Sequence, residues 1–353
     1  MKSNSGYSKL DEQAEQYFKE ILSSEQIIKS DDAKAEYAQD QTEDLKYMPD
    51  LVLKPANSEQ VAQIMRYCHN HHLPVTTVGA RTGLSGGALP LYGGIVLSTE
   101  KMNRILHIDE ANLQATVEPG VINQVFHEAC REKGLFYPPD PSSWGSCFIG
   151  GNLALNAGGP KAVKYGVTNA YVLSLEVVLA SGEIINTGAR VLKNSTGYNL
   201  TQLMVGSEGT LGVITKATFK LLPYPKHNKL LLVPFPSATQ ACAAVSAIFR
   251  AGITPSAMEF MERDAIDYTL KFVEEAELPI ADHIQAHLLI EVDGNEEEQL
   301  WRDCEQIAEI VAQFDAEDPL FADTEKEKEK LWKLRRRVGE AVKSHSIYKE
   351  EDT

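Results

Sequence analysis

The sequence predicts an α+β protein in two parts, a glycine-rich half followed by a quieter one. Three observations lead there. Turn-forming glycine loops interrupt the strand signals of the first half, and one of them links two apolar runs with no helix between. The later half reads strand, helix, strand, strand, helix, the order of a small antiparallel sheet with helices on one face. Two prolines and a change of pattern at residues 223–228 separate the halves. The expected division is a polar helical lead-in over 1–45, a first domain over 46–224 and a second over 225–353.

Residues 1–45 are rich in Glu, Asp, Gln and Ser, so the packed chain is expected to begin near Tyr47. From Ser58, read as an N-cap, Val61, Ile64, Met65 and Cys68 repeat at helical spacing. A short strand over 74–78 leads into Gly79-Ala-Arg-Thr-Gly-Leu-Ser-Gly-Gly87 and then a second apolar run, 95–98. Paired strands are expected between Ile105 and Val117, then a helix on Ile122, Val125, Phe126 and Ala129 that stops at Gly134. Residues 138–166, dense in glycine and proline, read as irregular backbone, and so long an irregular stretch in a compact domain usually binds something. Strands follow at 172–180, 183–186 and 212–222. The second half is expected to run strand 229–235, helix 238–251 stopped by Gly252, strands 257–261 and 286–292, and helix 296–314.

Composition narrows the function. The chain has 353 residues, enough for two domains with a sizeable core, and 43% are apolar and 24% charged, as in globular proteins. A net charge of −16 opposes a polyanionic partner, so nucleic acid is not expected; an acidic ligand must be met by backbone N–H groups or a few placed cations. Five widely spaced cysteines without a C-x-x-C pair fit a reduced, cytoplasmic setting. No signal-like h-region or long apolar run is present, so no membrane span is expected.

Glycine lets successive N–H groups converge on a phosphate, and three such loops occur in one half of the chain. A Rossmann NAD site is the first competitor, because Glu100 follows Gly79 by about 20 residues. The spacing Gly79-x-x-x-Gly83-x-x-Gly86 differs from G-x-G-x-x-G, however, and the loop enters a strand rather than a helix. A P-loop lacks its Lys-Ser or Lys-Thr.

The set of motifs, Gly79 to Gly87 together with Pro139-Asp-Pro-Ser-Ser143, Cys147-Phe-Ile-Gly-Gly-Asn152, Asn156-Ala-Gly-Gly159, Lys164-Tyr-Gly166 and Gly206-Ser-Glu-Gly-Thr-Leu-Gly-Val-Ile-Thr215, resembles the FAD-linked oxidases related to D-lactate dehydrogenase and the glycolate oxidase FAD subunit. The resemblance spans about residues 45–353. It implies a two-subdomain FAD-binding module of the vanillyl-alcohol-oxidase type, followed by an incomplete antiparallel-sheet substrate (cap) domain. Carried over by motif, Val78, Gly79, Ala80, Arg81, Thr82, Gly83, Leu84, Ser85 and Gly86 would wrap the pyrophosphate. Pro139, Asp140, Pro141, Ser143, Cys147, Ile149, Gly150, Gly151 and Asn152 would line the ribityl chain and isoalloxazine. Asn156, Gly158, Gly159, Tyr165 and Gly166 would join the cofactor-binding set, with Glu208, Gly209, Val213 and Ile214 towards the adenosine end. The first loop holds no His, and Cys147 reads as a buried thiol beside the cofactor, so the FAD is expected to be dissociable.

The same resemblance puts the substrate carboxylate near Arg335 and Lys349. A capping box of Thr324 and Glu327 opens a helix whose apolar face is Leu331, Leu334, Val338 and Val342; Arg335 falls inside that stripe, Arg336 and Arg337 outside it. An arginine on a core-facing stripe needs an anion. Gly339 stands where many relatives carry a hydroxyl residue.

The expected function is oxidation of a small D-2-hydroxy acid, D-lactate or glycolate, to the 2-oxo acid by hydride transfer to flavin N5; the alternative is a truncated or non-catalytic FAD-binding subunit. Relatives continue past the position of Thr353 into a His-rich segment with a divalent metal and the catalytic base. The catalytic residue and metal ligands are therefore expected outside this chain, which is expected to turn over poorly. His69, His71 and His72 are expected to face solvent, and His283 and His287 are not expected to form a helical metal pair because 286–292 reads as a strand. No motif specifies the electron acceptor; a homodimer or a redox-partner subunit both fit.

Overall fold

The computed structural model describes residues 6–345 apart from 43, 273–277 and 279. The chain divides into two compact units, residues 1–158 with 167–224, and residues 159–166 with 225–353.

The first unit holds two main sheets. One has four strands in the order Ile27–Ile28, Leu51–Leu53, Ile95–Ser98, Val75–Val78; its first pair is antiparallel and the other two are parallel. The helix Ser58–Asn70 makes the crossover that the parallel pairing demands. Its N-cap is Asn57, one residue earlier than expected, whose Oδ1 accepts the Gln60 N–H at 2.9 Å. Val61, Ile64 and Cys68 are buried against Leu51, Leu53 and Leu97.

Part of the expected lead-in packs into the core. The helix Glu12–Ile21 buries Ala14 and Phe18 in that same cluster, and Ile27–Ile28 joins the sheet. A polar average concealed a narrow stripe: Ala14 and Phe18 are four residues apart, and that spacing is enough to seat one helix face.

The second sheet is antiparallel, in the order Ile105–Asp109, Gln114–Val117, Val213–Lys220, Val172–Val178, Ile184–Gly188. A further difference lies in the glycine-rich stretch. Residues Ile149–Leu155 form a helix in place of irregular backbone. Gly150 is required for packing, since a Cβ there would lie 2.7 Å from Pro119 Cβ, so the helix approaches that backbone only without a side chain.

In the second unit, strands Ala257–Glu262, Ala286–Gly294, His227–Phe235 and Leu320–Ala322 form one antiparallel sheet in that order. Helices cover both faces, not one. Leu231, Val233, Leu288 and Ile290 pack under Ala238–Arg250 and Glu297–Ala312, and the alternate residues Leu230, Leu232 and Leu289 pack with Ile266, Leu334 and Val338 of Arg263–Phe272 and Glu325–His345. The uninterrupted run Leu230 to Val233 carries this information, because a strand buried on both faces has no polar alternation. The sequence pattern predicts neither the helix Arg263–Phe272 nor the strand Leu320–Ala322.

Candidate functional site

In the first unit three glycine loops converge. A Cβ built on Gly79 would sit 3.6 Å from Gly151 N and from Phe148 Cβ, and one on Gly83 3.7 Å from Leu155, so the first loop lies along the helix Ile149–Leu155. The third loop docks on the same helix through Gly206 N to Leu153 O and Glu208 N to Ala154 O, both 2.9 Å. It also reaches the first loop, with Glu208 Oε2 3.0 Å from the Cβ position of Gly87. Arg81 and Glu208 both have positive φ, 58° and 52°, a conformation that a side chain tolerates at some cost.

Among the described residues, only Leu89 within 79–89 donates a backbone hydrogen bond, to Gly86 O at 3.1 Å. The loop thus offers a run of N–H groups without acceptors among the described residues, which is what a diphosphate takes up. Arg81 lies beside them, its guanidinium 4.4 Å above the Tyr37 ring. Tyr37 is almost fully buried, and its hydroxyl donates to Glu100 Oε2 at 2.7 Å. Glu100 also pairs with Lys54 at 2.5 Å and accepts from Ser98. Burial pushes the Glu100 carboxyl up, but Lys54 and the Tyr37 hydroxyl more than offset it, so its value falls below the usual range. The acid that a dinucleotide reading would place on a ribose is therefore committed to Tyr37 and Lys54.

The lining of this cradle combines fixed and open positions. Asn123 Nδ2 donates to Pro139 O at 3.0 Å, anchoring the segment with Asp140, Pro141 and Ser143. Asn152 is buried with Nδ2 unpartnered among the described residues, a donor available to a ligand acceptor. Gly151 has nothing within 4 Å of its Cβ position. Cys147 is 3% exposed, and burial pushes its thiol up, so it stays protonated at neutral pH. Asn156 ends the helix in a left-handed conformation, φ 54°, and its Oδ1 accepts the Asn169 N–H. Val78 and Val213 are buried at strand ends, with Ile214 next along. Asp40 Oδ2 and Thr42 Oγ1, buried without partners among the described residues, belong to a segment that meets the first loop through Gln41 N to Gly83 O at 3.0 Å. Nothing in the spacing of 37–42 pointed to this, because the contact exists only after the chain has folded back. These residues fit a flavin dinucleotide: N–H groups and Arg81 for its diphosphate, Asn152 and an open glycine wall for the rest.

Gly159, Tyr165 and Gly166, expected with the cofactor set, fall in the second unit. There the Tyr165 hydroxyl donates to both Asp293 oxygens at 2.9 Å, and Lys164 Nζ contacts Asp293 Oδ1 at 2.6 Å. Beside them Glu291, 3% exposed, receives Lys161 Nζ at 2.6 Å and the Trp332 indole N–H at 2.9 Å. Burial pushes the Glu291 carboxyl up, and the Lys161 charge with the hydrogen bonds brings it net below the usual value.

Trp332 and Arg335 lie on the helix Glu325–His345, opened by the expected capping box, with Thr324 N donating to Glu327 Oε2 at 2.9 Å and Glu327 N to Thr324 Oγ1 at 3.2 Å. Leu334 and Val338 are buried. Arg335 Nε donates to Glu259 Oε2 at 2.6 Å, the anion that its position required. Arg337 is not simply outside the stripe: its guanidinium stacks 5.2 Å from the Phe272 ring, on the helix that was not anticipated. Lys349 lies outside the described residues. His69, His71 and His72 are exposed, His283 pairs with Glu317, and His287 lies on a strand; among the described residues no three His, Cys, Asp or Glu side chains gather as metal ligands.

The fold and the loop cluster define an FAD-binding protein of the vanillyl-alcohol-oxidase-like class. The structure superposes on alkyldihydroxyacetonephosphate synthase with a TM-score of 0.79 at 18% identity, covering 96% of this chain and 65% of that one. Substrate-bound p-cresol methylhydroxylase gives 0.72 at 20% identity, covering 92% and 70%. At such identity the likeness is one of fold. Residues 49–188 match the FAD binding domain, and residues 224–353 match the C-terminal domain of FAD linked oxidases. The chain is 38% identical over 98% of its length to a D-lactate dehydrogenase of Anaerostipes hadrus, and 44% identical over 87% to the glycolate oxidase subunit GlcD of Bacillus subtilis. A D-lactate dehydrogenase of Archaeoglobus fulgidus is 41% identical over 84%. The chain spans 73%, 64% and 65% of those relatives, about two thirds of their length. This protein belongs to the FAD-linked oxidase family. Among the described residues no helix is long and apolar enough to cross a membrane.

Proposed function

We propose that this protein is an FAD-dependent oxidoreductase that converts a small D-2-hydroxy acid, of the D-lactate or glycolate class, into the 2-oxo acid. The observation that carries the reading is the run of N–H groups beside Arg81 that are unpartnered among the described residues, in a chain whose similar proteins include D-lactate dehydrogenases. Bound FAD supplies the acceptor for the hydride leaving substrate C2, while the hydroxyl proton leaves to a base. The chain's own part is binding and orientation. The first loop takes the diphosphate through backbone donors, so a strongly acidic protein needs few cations for it. Asn152 and Gly151 border the flavin, and Arg335 receives the substrate carboxylate through paired N–H groups.

The test is spectroscopic. The chain is reconstituted with FAD, passed through gel filtration, and mixed without oxygen with D-lactate or glycolate. Flavin absorbance that travels with the protein and bleaches on mixing supports the reading. A colourless protein after reconstitution overturns it. Bound flavin that never bleaches with either acid overturns turnover by this chain and leaves the cofactor.

A further inference from the structure

Two polar contacts fix the helix Glu325–His345 to the sheet beneath it. Trp332 reaches Glu291, and one turn on Arg335 reaches Glu259. Both carboxylates stand on the same sheet face: Ala257 lies opposite Glu291 on the neighbouring antiparallel strand, and Glu259 follows two residues on. The helix therefore can neither rotate nor slide without losing a buried or half-buried bond.

The way Glu259 holds Arg335 is informative. A guanidinium can bind a carboxylate side-on, through Nε and one Nη, or end-on, through both Nη groups. Of the Arg335 donors it is Nε–H that Glu259 takes, and among the described residues Nη1 and Nη2 donate no hydrogen bond. We propose that Glu259 is the positioning residue for Arg335: it grips the Nε edge and keeps the two Nη groups as an end-on fork for the single carboxylate of the substrate. The inference rests on the reading of Arg335 given above. Its rival is that Glu259 competes with the substrate for the arginine's charge, and the two differ in sign.

Oxamate, a monocarboxylate that resembles the 2-oxo acid and is not oxidised, serves as the probe, titrated into the FAD-loaded full chain while flavin absorbance is followed. Arg335→Ala is expected to weaken oxamate about tenfold or more. Glu259→Ala is expected to weaken it comparably. Glu259→Gln, which keeps an acceptor for Nε–H, is expected to recover most of the loss. Should Glu259→Ala not fold, Glu259→Asp carries the test, because a carboxylate drawn back by one methylene loses the Nε contact and the affinity with it. Unchanged or tighter binding in the Glu259 variants, with Arg335→Ala still weakened, overturns the positioning role and leaves the arginine in the site. Undiminished binding in Arg335→Ala, or no flavin response in the unmodified protein, overturns the reading on which the inference stands.

Discussion

Single side chains set the sharpest expectations. His287 is buried with Nδ1 unpartnered among the described residues, and burial first, then the Arg263 charge, push its value down to about 4. Its folded value lies below the unfolded one, so protons favour the unfolded chain; the contribution is full above pH 6.5 and is lost as the pH falls towards 4, by about 3 kcal/mol. Denaturant titrations at pH 7 and pH 4.5 should show His287→Leu losing less stability on acidification than the unmodified protein. An equal loss would acquit His287. A second expectation concerns Tyr37, whose ring supports Arg81. Tyr37→Leu should weaken FAD about three- to tenfold in a flavin-fluorescence titration, while Tyr37→Phe, which keeps the face, should stay near the unmodified value. Equal weakening in both would assign the effect to the Glu100 hydrogen bond instead.

The helix Ile149–Leu155 is the element on which packing and ligand demands meet, and its two glycines separate them. A Cβ on Gly150 would press on Pro119 at 2.7 Å, with Pro119 O at 3.1 Å, whereas one on Gly151 meets nothing within 4 Å. Gly150→Ala should lower the stability of the FAD-free protein by about 1–3 kcal/mol. Gly151→Ala should leave that stability unchanged or raise it by up to about 1 kcal/mol, through helix propensity, while weakening FAD. Thermal melting of the FAD-free variants beside their FAD titrations reads both. Undiminished affinity in Gly151→Ala would take that open wall out of the cofactor site.

At the scale of the whole molecule, cofactor choice is a stability measurement. FAD at about 100 times its dissociation constant adds about 2.7 kcal/mol to the unit that binds it, which raises its melting temperature by several degrees. NAD should add nothing, because Glu100, the acid an NAD ribose would need, is held by Tyr37, Lys54 and Ser98. A melting shift with NAD and none with FAD would reverse the assignment.

The α+β class, most element positions and the three glycine loops were legible in the order of residues, because backbone propensity, turn chemistry and period are local properties. The helix over 297–312 and its capping-box neighbour opening at Thr324 were legible on those grounds. The rest depends on residues far apart in the chain. Phe18 became core because a single stripe met Val61 and Ile64 of a later helix. Gly150 was bound by its distance to Pro119, and Gly151 was set apart by the open space at its Cβ position. The partner of Arg335 is Glu259, 76 residues away, and Glu291 met Lys161 across 130. Local pattern states that a charge on a buried stripe needs a counter-charge; only the packed chain, which brings distant strands and helices into register, supplies which one.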